Sequence, residues 1–226
     1  RRMDTLTGPS ASAASVRTKL MDTLFVAQVC GSTGQSIGLA VGSIVAASIT
    51  GTNTWSGLPI AVGALGTALA SWPLARLMNR SGRRPGLALG YGLAVIGSLL
   101  AMMGVAGGSF WLLLGGMALF GIASTSNLLA RYAAADVTSP AHRGRAMGLI
   151  VWGSTIGSII GPNLMAPALR LGALLGVSSV ASAFLISVGG YALASLLIEL
   201  FLRPDPLAIA RHSQAIADAG RPAGPA

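Results

Sequence analysis

Six long apolar stretches alternate with short polar segments along this chain. The first runs from about Leu24 to Thr50, the second from Gly57 to Leu77 and the third from Pro85 to Val105. The fourth covers Phe110 to Leu129, the fifth Ala146 to Pro167 and the sixth Val177 to Phe201. An apolar run of about 20 residues is long enough to cross a bilayer as a helix. Few of these runs show the period-two alternation of a membrane barrel strand. With no water in the lipid core, the helix then satisfies every backbone N–H and C=O. The pattern predicts an all-α polytopic membrane protein with six transmembrane helices over residues 21–202. Residues 1–20, rich in Ser, Ala and Thr, read as a cytoplasmic tail. After the sixth stretch, Leu202-Arg203-Pro204-Asp205-Pro206 stops the helix, because proline cannot continue one. Residues 203–226 are Pro/Gly rich and read as a tail or an interdomain linker.

Composition agrees: 53% of residues are hydrophobic and 9% charged. The net charge of +9 changes the picture only through its placement. Arg1, Arg2, Arg17 and Lys19 precede the first span, and Arg76, Arg80, Arg83 and Arg84 sit between the second and third. Arg131, Arg143 and Arg145 sit between the fourth and fifth, and Arg203, Arg211 and Arg221 follow the sixth. The opposite loops hold only Arg170. This is the positive-inside bias expected of an even-numbered bundle with both termini in the cytoplasm, and the expected location is a bacterial inner membrane. Nucleic acid is excluded as a partner, since base-stacking aromatics are missing beside the basic runs. Cys30, the single cysteine, rules out a disulfide within the chain and a cysteine metal site. The first span is too long for a cleavable signal peptide and lacks a suitably placed small-residue cleavage site. His142 and His212 fall in cytoplasmic segments, so no Ser-His or Cys-His pair exists at membrane depth. No phosphate-binding loop is present. Neither enzyme chemistry, nor a cofactor, nor a metal is called for.

Polar residues within the spans are the candidate chemistry. Gln28, Ser32 and Gln35 share one face of the first span, flanked by Thr33 and Ser36. Ser124, Asn127 and Arg131 share a face of the fourth, and Trp152, Thr155 and Asn163 are candidates on the fifth. Such groups are costly against lipid and face the bundle interior, as substrate contacts or as interhelical hydrogen bonds. No Asp or Glu lies at mid-membrane; Asp22, Asp136 and Glu199 sit near span ends, Glu199 close enough to be solvated. A site walled by these residues is neutral to cationic. Gly34, Gly38 and Gly42 on the first span, and Gly153, Gly157 and Gly161 on the fifth, recur at spacing four and allow close helix contact.

The loop Ala75-Arg76-Leu77-Met78-Asn79-Arg80-Ser81-Gly82-Arg83-Arg84 resembles a signature of the major facilitator superfamily, Gly-x-Leu-Ala-Asp-Arg-x-Gly-Arg-Arg. Ala75 replaces its first glycine and Asn79 its acidic residue. On the fifth span Gly148, Gly157, Gly161 and Pro162 resemble the family's antiporter motif, although Met165 and Ala166 replace its last two glycines. Gly161-Pro162 is expected to kink the helix near its outer end. Arg131, followed by Asp136 and by Arg143-Gly144-Arg145, is similar to a third family pattern.

The resemblance covers about Met21 to Leu202 and implies one half of a twelve-helix fold, itself two inverted three-helix repeats. It implies a small-molecule cavity against the first and fourth spans, with Gln28, Ser32, Gln35, Ser124, Asn127, Trp152 and Thr155 as candidate contacts. It implies a cytoplasmic gate built from Asn79, Arg80, Gly82, Arg83, Arg84, Arg131, Asp136 and Arg143. The loop is otherwise read as a topogenic basic segment, and Arg131 and Asp136 as a solvated loop. The implied partners are membrane lipid, a small-molecule substrate and a second six-helix half: another copy, a separate chain or a carboxy-terminal portion. The implied function is secondary transport by alternating access, with export by antiport favoured by the fifth-span motif. A transporter-derived structural subunit of a larger membrane complex fits the half-size chain and the altered signature as well.

Overall fold

The computed structural model describes residues 9–176 and 180–211. Eight α-helices follow one another in these residues: α1 (Pro9–Thr50), α2 (Leu58–Ser81), α3 (Arg83–Ala106), α4 (Phe110–Phe120), α5 (Ile122–Val137), α6 (Arg143–Asn163), α7 (Met165–Leu174) and α8 (Ala183–Phe201). They make six membrane crossings. α4 and α5 run on as one 28-residue span, broken only at Gly121, and α6 and α7 form a sixth span bent by 54°. The bend falls two residues after Pro162, where the Leu164 N–H turns back to the Gly161 and Ile160 carbonyls. This is the kink expected from Gly161-Pro162.

The helices exceed the apolar stretches at their basic ends. α1 starts at Pro9 rather than near Met21, so much of the expected tail is helical. Proline suits a first helical position, and no Gly or Pro interrupts the next 21 residues. α5 continues beyond Leu129 to Val137, which puts Arg131 and Asp136 on a helix instead of a loop. Residues 206–211 of the expected linker are helical too. Residues 1–8 and 212–226 of the two expected tails, and 177–179 at the expected start of the sixth span, lie outside the described residues.

α1 is the central helix, packed against α6 and α8, while α3 packs against α4 and α8. Small residues set the closest crossings. A Cβ on Gly157 would stand 2.5 Å from the Val29 carbonyl oxygen of α1, and one on Gly97 would stand 2.5 Å from the Phe120 nitrogen. In lipid, helices gain from such close packing, because burial of apolar surface no longer favours association. α2 is tied to α5 by hydrogen bonds: Thr67 Oγ1 donates to the Gly121 carbonyl (2.7 Å) and Thr125 Oγ1 to the Thr67 carbonyl (3.0 Å). Tyr91, Phe120, Phe184 and Tyr191 fill the interior among α3, α4 and α8. On the outside Leu69, Trp111 and Leu174 are 78–84% exposed. An apolar exterior on this scale is the surface of a protein solvated by lipid.

Candidate functional site

Two polar clusters stand out. The first lines a cleft of about 360 Å³ among α1, α5 and α6, with Ser32, Gln35 and Ser36 on one wall, Ser124, Asn127 and Arg131 on the second and Ser154 and Ser158 on the third. A relay of side chains fixes its floor. Tyr91 Oη donates to Asn127 Oδ1 (2.7 Å), Asn127 Nδ2 to Gln35 Oε1 (2.5 Å), and Gln35 Nε2 to Ser124 Oγ (2.5 Å). Three helices thus hold one another through amides whose orientation is dictated at both ends, so little side-chain freedom remains. Gln28 lies fully buried below this layer. Its Nε2 donates to Ser154 Oγ (2.7 Å) and more weakly to Ser32 Oγ (3.4 Å), joining α1 to α6. Gln28 Oε1 and Arg131 Nε are buried with no hydrogen-bond partner among the described residues. The wall combines neutral acceptors and donors with one guanidinium and holds no carboxylate.

The second cluster sits where α2, α3, α5 and α6 meet at the basic end. Arg83 Nε pairs with Asp136 Oδ2 (2.7 Å), and Arg83 Nη1 donates to Asn79 Oδ1 (3.0 Å). Arg143 lines the same recess. Arg84 forms an ion pair with Glu199 and donates through Nε to its carbonyl (3.0 Å), which binds the start of α3 to the end of α8. The turn between α2 and α3 is a single residue, Gly82, with φ of +110°. A side chain is disfavoured there by conformation, and the Asp205 carboxylate lies against the place where a Cβ would be. Asp205 Oδ1 and Oδ2 accept from the backbone N–H groups of Arg83 (3.0 Å) and Arg84 (2.9 Å). A carboxylate is favourable at the positive N-terminal end of a helix such as α3.

Several expected positions move. Arg131 lines the cleft, on α5 one turn from Asn127, while Asp136 further along α5 pairs with Arg83 at the basic turn. Glu199 is paired and not merely solvated. Trp152, 67% exposed, lines a different groove, and Thr155 is exposed and bonds back to the Val151 carbonyl. The cleft-facing residues of α6 are Ser154 and Ser158. Gly148 faces open space, whereas Gly157 and Gly161 do pack on α1. Arg80 is exposed at the end of α2. Tyr91, Ser154, Ser158 and Asp205 escaped the reading of the sequence. The two serines had a usable signal, since each follows a glycine of the Gly153-Gly157 stripe by one residue.

A bundle of six helical crossings, with a polar cleft on its central helix and a braced basic turn at one end, defines one half of a facilitator-type membrane carrier. The chain belongs to the Major Facilitator Superfamily, whose family model matches residues 24–224. It is similar to the uncharacterized MFS-type transporter YdeG of Bacillus subtilis, 34% identical over 196 residues, or 85% of this chain and 46% of the relative. A second Bacillus subtilis relative, the uncharacterized MFS-type transporter YddS, is 31% identical over 201 residues, 89% of this chain and 45% of the relative. The riboflavin transporter RfnT of Brucella anthropi is 27% identical over 142 residues, 63% of this chain and 36% of the relative. The chain spans about half the length of the first two relatives. It is a multi-pass membrane protein of a transporter family.

Proposed function

We propose that this chain supplies one half of a secondary transporter that moves a small molecule across a bacterial cytoplasmic membrane by alternating access. The observation that carries the reading is the Tyr91–Asn127–Gln35–Ser124 relay, which presents an ordered polar wall at mid-bundle. A second six-helix half closes the cleft from the other side, and the path runs between the two. The basic end faces the cytoplasm by the positive-inside rule, so the Arg83–Asp136 pair belongs to the cytoplasmic gate. Export in exchange for protons is the favoured direction, supported by the Gly157, Gly161 and Pro162 geometry of α6. Coupling protons then exchange at a gate carboxylate such as Asp136 or in the second half, because the cleft wall has no carboxylate of its own.

The test is transport by the intact protein in proteoliposomes, with riboflavin in the first panel because one relative carries that name. Gln35→Leu and Asn127→Leu reduce transport while the protein still folds and inserts. Unchanged transport in both variants removes the cleft from the path. The native mass of the intact protein in mild detergent separates the rival role: unrelated co-purifying subunits with no substrate-dependent stabilisation favour a structural subunit.

A further inference from the structure

Another recess, about 710 Å³ against about 360 Å³ for the polar cleft, lies elsewhere on the bundle. It opens on the outside of the basic end, between residues 17–22 of α1, the turn after α5 and the start of α6. From the geometry we infer that this groove is a binding site for one anionic phospholipid, of the phosphatidylglycerol type.

The groove has two levels. Arg17, Arg145 and His142 stand nearest the basic end, and a single carboxylate, Asp22, follows Met21 along α1. Below them Met21, Leu149 and Trp152 give an apolar wall. Arg17 and Arg145 are exposed. The two ion pairs formed among the described residues, Arg83–Asp136 and Arg84–Glu199, leave both of them without a carboxylate at pairing distance. A phosphodiester between two guanidiniums satisfies them, Asp22 accepts from the headgroup glycerol, and an acyl chain covers Trp152. Guanidinium suits phosphate through paired N–H donors. Tryptophan favours the headgroup level, and basic pockets between helices at that level take anionic headgroups.

The groove also faces the right medium. Trp152 precedes the cleft-lining Ser154 by two residues, which places them about 160° apart around α6. The wall bearing Arg145, Leu149 and Trp152 therefore points away from the cleft and from a second half that closes it. Net positive charge at the mouth selects an anionic over a zwitterionic lipid.

Native mass spectrometry of the intact protein, titrated with phosphatidylglycerol or phosphatidylcholine, tests the site. One phosphatidylglycerol is retained in preference to phosphatidylcholine. Arg17→Gln/Arg145→Gln weakens it roughly ten- to thirty-fold, from about two headgroup-level charges. Arg76→Gln/Arg203→Gln removes two exposed arginines at the same end but outside the groove, and leaves that lipid in place. Gly148→Leu fills the groove without altering charge, since nothing lies within 4 Å of a Cβ there, and it displaces the lipid as well. Equal retention of both lipids overturns the site. So does equal loss in the two double variants, which reports general surface charge, or full retention in Gly148→Leu. Absence of any retained lipid from the parent protein overturns it too, and points to a polypeptide segment in the groove.

Discussion

The Asp205 carboxylate accepts a hydrogen bond from the backbone N–H of Arg84 at 2.9 Å, across 121 residues of sequence. The chain thus returns, after its last described crossing, to cap the turn between its second and third. With the Arg83 N–H on the other oxygen, this one side chain satisfies two N–H groups that the start of α3 leaves without an intrahelical partner. Arg211 reinforces the return by donating to the Asn79 carbonyl (2.7 Å). The segment after α8 is therefore part of the basic-end structure, whatever follows it.

Asp205→Ala removes the cap and frees the segment from the turn. Loss of a helix cap costs about 1 kcal/mol, up to about 2. The expected result is a lower melting temperature in detergent, with Asp205→Asn intermediate because the amide oxygen still accepts. Proteolysis after α8 should accelerate in Asp205→Ala, and an unchanged cleavage rate would show that the segment is held by other contacts.

The helices were readable in the sequence because lipid solvation demands long apolar runs, and the structure keeps all six crossings. Their basic ends were not, since hydropathy falls before the helix does: Arg131 and Asp136 continue α5 although both are charged. The α1 face was readable because Gln28 and Gln35 stand out in an otherwise apolar helix. α6 carries Trp152, Ser154, Thr155, Ser158 and Asn163 all round its circumference, so spacing alone did not select the cleft side. Its glycines settle the matter, since Gly157 and Gly161 must face α1. The Asp205 cap had no local signal at all, because its partners are set by how α3 and α8 pack.

Gly148 and Gly157 carry the same motif but opposite environments. Gly157→Ala forces α6 away from α1 and is expected to destabilise by about 1–3 kcal/mol, as overpacking does. Gly148→Ala meets no neighbour and gains helix propensity of up to about 1 kcal/mol. Thermal unfolding of the two variants side by side should move in opposite directions. Movement in the same direction would mean that the α1–α6 crossing is looser than described.

Asn79 occupies the position of the family's acidic residue and already accepts from Arg83 at 3.0 Å. Asn79→Asp converts a neutral acceptor into a charged one and strengthens that bond, since charge-assisted bonds are roughly twice as strong. Arg83 then bridges two carboxylates, the introduced one and that of Asp136. On the proposed gating role of this cluster, the expected outcome is slower transport and slower labelling of a cysteine placed at Ser124. Salt should reverse part of the effect, because Asn79 is exposed and its added charge is screened.

Tyr91→Phe isolates the relay from the packing. The ring is fully buried and lies 6.3 Å from the Tyr191 ring, a contact that phenylalanine preserves. Only the hydroxyl that donates to Asn127 Oδ1 at 2.7 Å is lost. Side-chain hydrogen bonds in membrane bundles contribute about 0.6 kcal/mol on average, so the protein should fold and express normally. The consequence lies in orientation. With Tyr91 donating, Asn127 must present its Nδ2 to Gln35, and Gln35 must present its own Nε2 to Ser124. Without that donor the two amides lose their fixed sense, and the cleft wall samples more than one donor–acceptor pattern. Apparent substrate affinity should weaken several-fold with little change in maximal rate, as expected when positioning is lost and the moving parts are intact. A variant with wild-type affinity would show that the relay serves helix packing alone.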